Sequence, residues 1–324
     1  MRVLYVVYRP IPLSENYIRT ELEWMEKQGI AVGVWASAEK IAPTYEDPGR
    51  WMRVGGSILK AIDEWKPDIV HAHWSTVAAA VLGEVKKTGI PCTIRGHSLD
   101  FSTANVEAVS SASQIWLFPH FARQFALPQV APLPVSYDSH TFYLGSPAPR
   151  RYVIRATAGL PRKGIEEFLD IARLCPEASF VLVMTSILEP YMDSVVKSAP
   201  LNVTCLKHVQ REEVARLVRG AWICLRGHDP AGNPYGMPIS IAEAMGCGIP
   251  LIARKHPDAE AYMADAATYY GTPEEGAALL RQTLAWTIEE RAEASLRAAA
   301  RARLFTTEVI LPAVMRTWQN LVRK

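Results

Sequence analysis

An α/β protein made of two Rossmann-like, doubly wound domains in tandem is what this sequence predicts, and three observations carry the prediction. The chain has 324 residues, long enough for two domains of ordinary size. Short β-branched or apolar runs alternate with helical periodicity in two separate stretches, the rhythm of parallel strands joined by crossover helices. Between those stretches, from Leu127 to Arg151, five prolines gather (Pro128, Pro132, Pro134, Pro147 and Pro149). Proline supplies no backbone donor and breaks both helix and ladder, so this stretch reads as the interdomain connection.

Each element follows from its residues. Val3–Tyr8 is a strand of β-branched and aromatic residues. Ser14 is the expected cap of a helix whose apolar Ile18, Leu22 and Met25 stand at i, i+4 and i+7. Gly29 stops that helix, and Ile30–Ala36 returns as a strand. Gly56–Trp65 reads as helix, Pro67–His73 as strand, Thr76–Lys87 as helix, and Pro91–Arg95 and Ile115–Phe118 as strands. The second alternation opens with strand Tyr152–Ala156 and helix Ile165–Leu174, where Ile165, Phe168, Leu169 and Ala172 share one face. Strands Phe180–Met184, Val203–Leu206, Trp222–Leu225 and Pro250–Ala253 follow, with helices Glu212–Arg219 and Pro238–Met245 among them. Pro273–Lys324 reads as one long helical region. The expected division is 1–145, 146–305 and a C-terminal helix, 306–324, packing back on the first domain. Doubly wound sheets bind ligands at the carboxyl ends of their strands, so the ligand cleft is expected between the two domains.

Composition removes several function classes. Apolar residues make up 49% and charged residues 21%, a globular mix. With 35 Lys and Arg against 33 Asp and Glu the net charge is +2, too balanced for a general nucleic-acid binder. Five scattered cysteines (Cys92, Cys175, Cys205, Cys224 and Cys247), none in a C-x-x-C pair, argue against a disulfide framework or zinc knuckle and for a reducing, cytoplasmic setting. No run of about 18 apolar residues suggests a membrane span, and the N-terminus reads as a first strand, not a signal peptide.

The most informative stretch runs from Asn233 to Pro250. A Gly-containing loop enters a helix with Pro238 in its first turn, where the missing N–H costs nothing. The amides of Gly236, Met237 and Ile239 are expected at the helix N-terminus, which attracts phosphate through its dipole and unpaired donors. Glu243, about one and a half turns in, could accept two ribose hydroxyls; a surface Glu on an amphipathic helix is the plain alternative. Gly159-Leu160-Pro161-Arg162-Lys163-Gly164 opens another helix, and its two adjacent cations suit a diphosphate, a solvated basic turn being the other reading. His71 and His73 share one face of a strand. No carboxylate or Cys lies near them in sequence at ligand spacing, so structural roles are expected and no metal. Gly246-Cys247-Gly248 begins a G-x-G-x-x-G, but position 251 is Leu, which rejects dinucleotide binding.

Taken in order, these segments resemble the retaining GT-B glycosyltransferases of family 4, particularly those of bacterial cell-surface polysaccharide biosynthesis. That family's signature is a Glu, seven residues, a second Glu, then Ala-Met-x-x-Gly-x-Pro. Glu243, Ala244, Met245, Gly248 and Pro250 match its second half, while Tyr235 stands where the first Glu is expected, with Asn233 and Asp229 as nearby substitutes. Pro12-Leu13-Ser14-Glu15-Asn16-Tyr17-Ile18 resembles the family's Pro-x-x-Ser-Glu-Thr-Phe-Ile opening. Asp68–His73 with Gly89-Ile90-Pro91, and Ser136-Tyr137-Asp138-Ser139-His140-Thr141-Phe142, match further motifs. Lys163 fits the family's Lys-Gly position; Ala158 stands where an Arg is expected, with Arg162 as the neighbouring cation. His97-Ser98-Leu99-Asp100 resembles a His-Gly-x-Asp motif, with Arg95-Gly96 as the competing register.

The resemblance implies a GT-B fold and a retaining, metal-independent transferase moving a sugar from a nucleoside diphosphate, with UDP or GDP as its nucleotide and no further cofactor. Catalytic candidates are His97, Arg162, Lys163 and Tyr235; donor-binding candidates are Glu243, Gly236, Met237, Pro238, Ile239 and Lys163. Arg9, Ser14, Glu15 and Asn16 are expected to bind the acceptor, a glycan or lipid-linked group. A catalytically silent nucleotide- or glycan-binding accessory protein is one alternative; an epimerase or hydrolase on the same fold is another. The segment from Arg281 onward carries eight basic and four acidic residues. It is read as a solvated helical face, or as a peripheral contact with anionic lipid at the inner membrane face.

Overall fold

The computed structural model describes residues 1–37, 52–97, 102–145, 152–186, 188–227 and 236–323. The chain divides into two compact units, Met1–Ser136 with Thr307–Lys324, and Tyr137–Thr306. In the first unit the order is β1 (Arg2–Val7), α1 (Asn16–Lys27), β2 (Ala31–Ala36), β3 (Met52–Val54), α2 (Ile58–Trp65), β4 (Ile69–His73) and α3 (Ser75–Lys87). Then come β5 (Cys92–Arg95), α4 (Thr103–Ala108), β6 (Gln114–Leu117), α5 (Pro119–Ala122) and β7 (Val130–Pro132). The sheet runs β3-β2-β1-β4-β5-β6-β7. Its strand pairings are parallel.

The second unit contains β8 (Tyr152–Ala158), α6 (Ile165–Leu174), β9 (Ser179–Thr185), α7 (Glu189–Ser198), β10 (Val203–Lys207), α8 (Arg211–Arg219) and β11 (Ile223–Arg226). It continues through α9 (Ile239–Gly246), β12 (Leu251–Arg254), α10 (Pro257–Met263), β13 (Ala267–Tyr270), α11 (Pro273–Leu284) and α12 (Ile288–Ala302). Its sheet is also parallel, in the order β10-β9-β8-β11-β12-β13. The last helix, α13 (Thr307–Val322), belongs to the first unit, where Ile310, Leu311, Val314 and Trp318 join the core of Val3, Tyr5, Ile18, Leu22 and Met25.

Both sheets reverse winding direction beside their first strand: between β1 and β4, and between β8 and β11. Loops leaving such a pair diverge, which opens a crevice at the strands' carboxyl ends. In the first unit the loop after β1 holds Arg9, Glu15 and Asn16, and the turn after β4 holds Trp74. In the second unit the loop after β8 holds Lys163 and the segment after β11 leads into α9.

Several local expectations are corrected. Helix α1 does not start from a Ser14 cap; Ser14 lies inside the 3-10 turn Leu13–Glu15, and the helix begins at Asn16. Pro238 is the N-cap of α9, not a first-turn residue, with an extended ψ of 125°. The C-terminal region is three helices, because Thr287 starts α12 with a reciprocal capping box to Glu290 and a 3-10 turn at Arg303–Phe305 ends it. Strands β3, β7 and β13 were not expected from the sequence: three or four residues at or near a sheet edge give too little alternation to register. Nor is the basic C-terminal segment a uniform solvated face. Arg291 is buried, donates to the Ala221 carbonyl and stacks on Trp222, while Arg301 donates to the Tyr262 carbonyl and Arg281 to Glu177.

Candidate functional site

In the second unit, two helix N-termini leave neighbouring strands at the winding reversal. Strand β8 pairs in parallel with β11 through Val153–Ile223 and Ile154–Cys224, so α6 and α9 both start at the carboxyl end of the sheet. Gly164 caps α6 with φ of 64°, a left-handed conformation that glycine enters without a Cβ penalty. Lys163 precedes it and is half-buried. Burial, followed by the nearby charges of Arg226, Arg162 and Arg155, lowers its ammonium to about 8. Arg162 is exposed. Glu167, in the first turn of α6, accepts from Arg254 at 2.5 Å, and Glu166 accepts from the Tyr191 hydroxyl at 2.6 Å.

At the start of α9, Gly236 and Ile239 are partly exposed and Met237 is buried. The Ile241 amide donates to the Pro238 carbonyl, leaving the Ile239 and Ser240 amides as the terminal donors of the helix. Glu243 is 5% exposed, and burial raises its carboxyl to about 7, with Arg211 lowering it and Asp138 raising it. Arg211 donates to Asp138 at 2.6 Å, while the His140 amide and Thr141 hydroxyl donate to the same carboxylate. The segment Asp138–Thr141 is thereby fastened to α8 next to Glu243. Tyr137 packs so closely on Gly246 that a Cβ there would meet its ring at 2.5 Å, which sets how α9 seats. Tyr235, Asn233 and Asp229 lie outside the described residues.

The first unit presents a histidine cluster at the carboxyl ends of β4 and β5. His97 lies 3.0 Å through Nε2 from His73 Nδ1, one ring donating to the other, and the rings stack at 15°. Tyr17, Trp74 and Phe118 surround His97 at centroid distances of 4.9, 5.1 and 6.3 Å. Burial, then Arg95 and His71, hold the His97 imidazole well below its usual range, so it is neutral at physiological pH. Arg95, the competing register, is buried and donates to Glu21 at 2.8 Å and to the Pro134 carbonyl at 2.8 Å. Ser98, Leu99 and Asp100 lie outside the described residues. Trp74 has φ of 70°, a left-handed value for a bulky residue, directly between His73 and α3.

Glu21, His71 and His73 offer three ligand atoms within 4.8 Å of one another. The carboxylate, on α1, was invisible in the spacing around the histidines. Yet Glu21 already binds the Arg95 guanidinium and accepts from Tyr5, and a divalent ion would add charge beside a buried arginine. Thr93, in turn, links His71 at 2.9 Å and accepts from Trp318 Nε1 at 3.0 Å. The cluster is best described as a buried polar network that fixes His73 and, through it, His97.

Of the expected acceptor residues, Glu15 accepts from Arg9 at 3.5 Å, and burial, opposed by Arg9, raises its carboxyl to about 7. Asn16 starts α1. The side chain of Ser14 is outside the description. The residues that sequence reading missed are Arg155, Arg226 and Arg211. Arginines inside strands or a helix, with no motif around them, give no signal until the fold places them.

The two parallel sheets and their helices make this a GT-B fold, and solved structures of that fold superpose on the whole chain. A sucrose-phosphate synthase from Thermosynechococcus elongatus is 14% identical with a TM-score of 0.75, covering 99% of this chain and 99% of that one. HepE from Anabaena, in complex with UDP and glucose, is 16% identical with a TM-score of 0.77, covering 99% and 100%. A glycosyltransferase from Rickettsia africae is 11% identical with a TM-score of 0.76, covering 100% and 99%. Residues 162–309, most of the second unit, match the family model described as glycosyl transferase-like. No curated protein matches the chain significantly. Among the described residues, no helix is long and apolar enough to cross a membrane.

Proposed function

We propose that the chain is a retaining glycosyltransferase of the family 4 type, moving a sugar from a nucleoside diphosphate to an acceptor hydroxyl. The observation that carries this reading is the pair of helix N-termini, α6 and α9, which follow the adjacent strands β8 and β11 and themselves lie inside the segment that matches the glycosyl transferase-like model. One terminus brings Lys163 for the diphosphate and the other brings Glu243 for the ribose. HepE, of the same fold, is known in complex with UDP-glucose, and UDP is accordingly the first nucleotide to test.

In this mechanism the α9 amides of Ile239 and Ser240, with Lys163, stabilise the charge that develops on the departing diphosphate. Losing one such donor typically costs on the order of 10²–10³ in rate. Glu243 orients the nucleoside by accepting from its hydroxyls. Neutral His97, held by His73, is a hydrogen-bond partner for the sugar. The loop carrying Arg9, Ser14, Glu15 and Asn16 takes the acceptor, and Tyr235, at the sequence position of the family's first Glu, brings no carboxylate to the donor. No protein nucleophile is required, since the leaving diphosphate itself assists deprotonation of the acceptor on the same sugar face. The cations and helix amides replace a metal in this scheme.

Thermal stabilisation by UDP-, GDP-, ADP- and TDP-sugars tests donor binding, because a ligand of the native state raises the melting temperature by mass action. Glu243→Ala is expected to abolish the shift. Retention is then read from the anomeric configuration of the product. Donor binding with no transfer to any glycan or lipid-linked hydroxyl would favour the silent accessory protein, and no binding at all would refute the assignment.

A further inference from the structure

Glu21, on α1, sets its carboxylate among the histidine rings of β4. Its Oε2 accepts from Arg95 Nη1 at 2.8 Å and its Oε1 from the Tyr5 hydroxyl at 3.1 Å, so both oxygens act as acceptors. Oε1 also faces Nε2 of His71 at 3.5 Å and Nε2 of His73 at 3.9 Å, and neither nitrogen makes a hydrogen bond among the described residues. The three side chains are at most 1% exposed, so bulk solvent does not screen them. A ring nitrogen facing a buried carboxylate oxygen is attracted when it carries the proton and repelled when it carries the lone pair. His73 is therefore the Nε2–H form, and its Nδ1 is an acceptor. That Nδ1 meets Nε2 of His97 at 3.0 Å, a contact that holds one proton, and the bare nitrogen on His73 assigns the proton to His97. The His73 ring stacks on Tyr5 at 18° and on His97 at 15°. A half-turn of the ring would put carbon in place of nitrogen at both polar contacts.

We propose that Glu21 is a positioning residue: acting through His73, it holds His97 as the Nε2–H tautomer, so that His97 accepts a hydrogen bond from a sugar hydroxyl through Nδ1. This rests on the glycosyltransferase reading and deepens it, since it fixes the sign of the contact that His97 makes. Burial, then Arg95 and His71, keep the His97 ring neutral, which leaves Nδ1 with the lone pair. A lone pair there takes a hydroxyl and rejects an anionic oxygen, so the group bound at His97 is a neutral hydroxyl and not a carboxylate or phosphate. Arg95 serves the same end from the other side of Glu21, because its bond to Oε2 and to the Pro134 carbonyl holds the carboxylate in the plane that Tyr5 and the histidines share. In such a water-excluded network each bond polarises the next, and the sign set at Glu21 is carried to His97 two contacts away.

Long-range proton–nitrogen correlation spectra of the full chain, isotope-labelled at histidine, tell a ring nitrogen with a proton from one with a lone pair. Comparison with His97→Asn identifies the His97 signals. The parent is expected to show Nε2–H on both His73 and His97. In Glu21→Gln, Arg95 keeps the amide carbonyl at the Oε2 position, so the amide NH2 replaces Oε1 and faces His73 Nε2. The proton should then move to Nδ1 of His73, and His97 should become the Nδ1–H form. Glu21→Asp, acceptor-only like the parent, should keep the parent pattern. Glu21→Gln is also expected to lower kcat for transfer from UDP-sugars about tenfold to a hundredfold while keeping the UDP-induced melting shift, with Glu21→Asp recovering part. Circular dichroism melts check that each variant folds. Should Glu21→Gln not fold, His73→Phe, which keeps a ring and removes both nitrogens, should release His97 into both tautomers. His97 as Nδ1–H in the parent, an unchanged His97 pattern in the folded variant, or unchanged transfer once the tautomer inverts overturns the proposal. The expected tautomers with no transfer from any sugar nucleotide would keep the hold of Glu21 on His97 and remove the glycosyltransferase reading.

Discussion

Replacing Glu243 with Gln should make the second unit more stable in mild alkali, against the usual direction for altering a buried polar residue. Folding carries this carboxyl from an ordinary value of 4.5 to about 7, chiefly through burial, with Arg211 opposing and Asp138 reinforcing. Between those pH values the unfolded chain has released the proton that the native state still holds. Stability contributed at this position therefore falls as pH rises through the window, and the loss is complete above pH 7. At 1.36 kcal/mol per pH unit the penalty is about 3 kcal/mol, an upper figure because Arg211 can relax toward the charge. Glutamine keeps the shape and cannot ionise, and Arg211 retains its bond to Asp138. Differential scanning calorimetry at pH 8.5 should show the variant's second-unit transition raised by about 6–12 °C. Near pH 4.5 the difference should shrink toward zero. Identical melting at pH 8.5, or a lower transition for the variant, would mean that the native state holds the carboxylate comfortably, and the reasoning would fail.

Lys163, lowered to about 8 by burial and neighbouring cations, should regain its proton when a diphosphate arrives, so UDP binding at pH 9 is expected to take up a proton. Calorimetry in buffers of different ionisation heat reads the uptake, and Lys163→Met should remove it; equal uptake in the variant would exclude Lys163. His97→Asn should leave the nucleotide-induced melting shift intact while lowering transfer by about 10²–10⁴, and an unchanged rate would remove His97 from the reaction. Trp318→Ala should destabilise the first unit by about 3–5 kcal/mol, since the ring is fully buried and its Nε1 donates to Thr93. A loss below about 1 kcal/mol by denaturant titration would show that α13 is dispensable to that core.

The residues by themselves determined the architecture, because strand and helix periodicity are local properties: a run such as Val3–Val7 or the apolar face of Ile165, Phe168, Leu169 and Ala172 declares its element without knowing its neighbours. They also singled out Lys163, beside the Gly164 cap of α6, and Glu243, five residues after the Pro238 cap of α9, as candidates. Tertiary structure alone decided the charge balance. Glu21 meets Arg95 across 74 residues and comes within reach of both histidines, and Arg155 on one strand joins Arg226 on another. It also turned Arg291, read as part of a solvated basic face, into a core residue on Trp222. Charge acts through space, and the distances that set its strength exist only once the chain has folded.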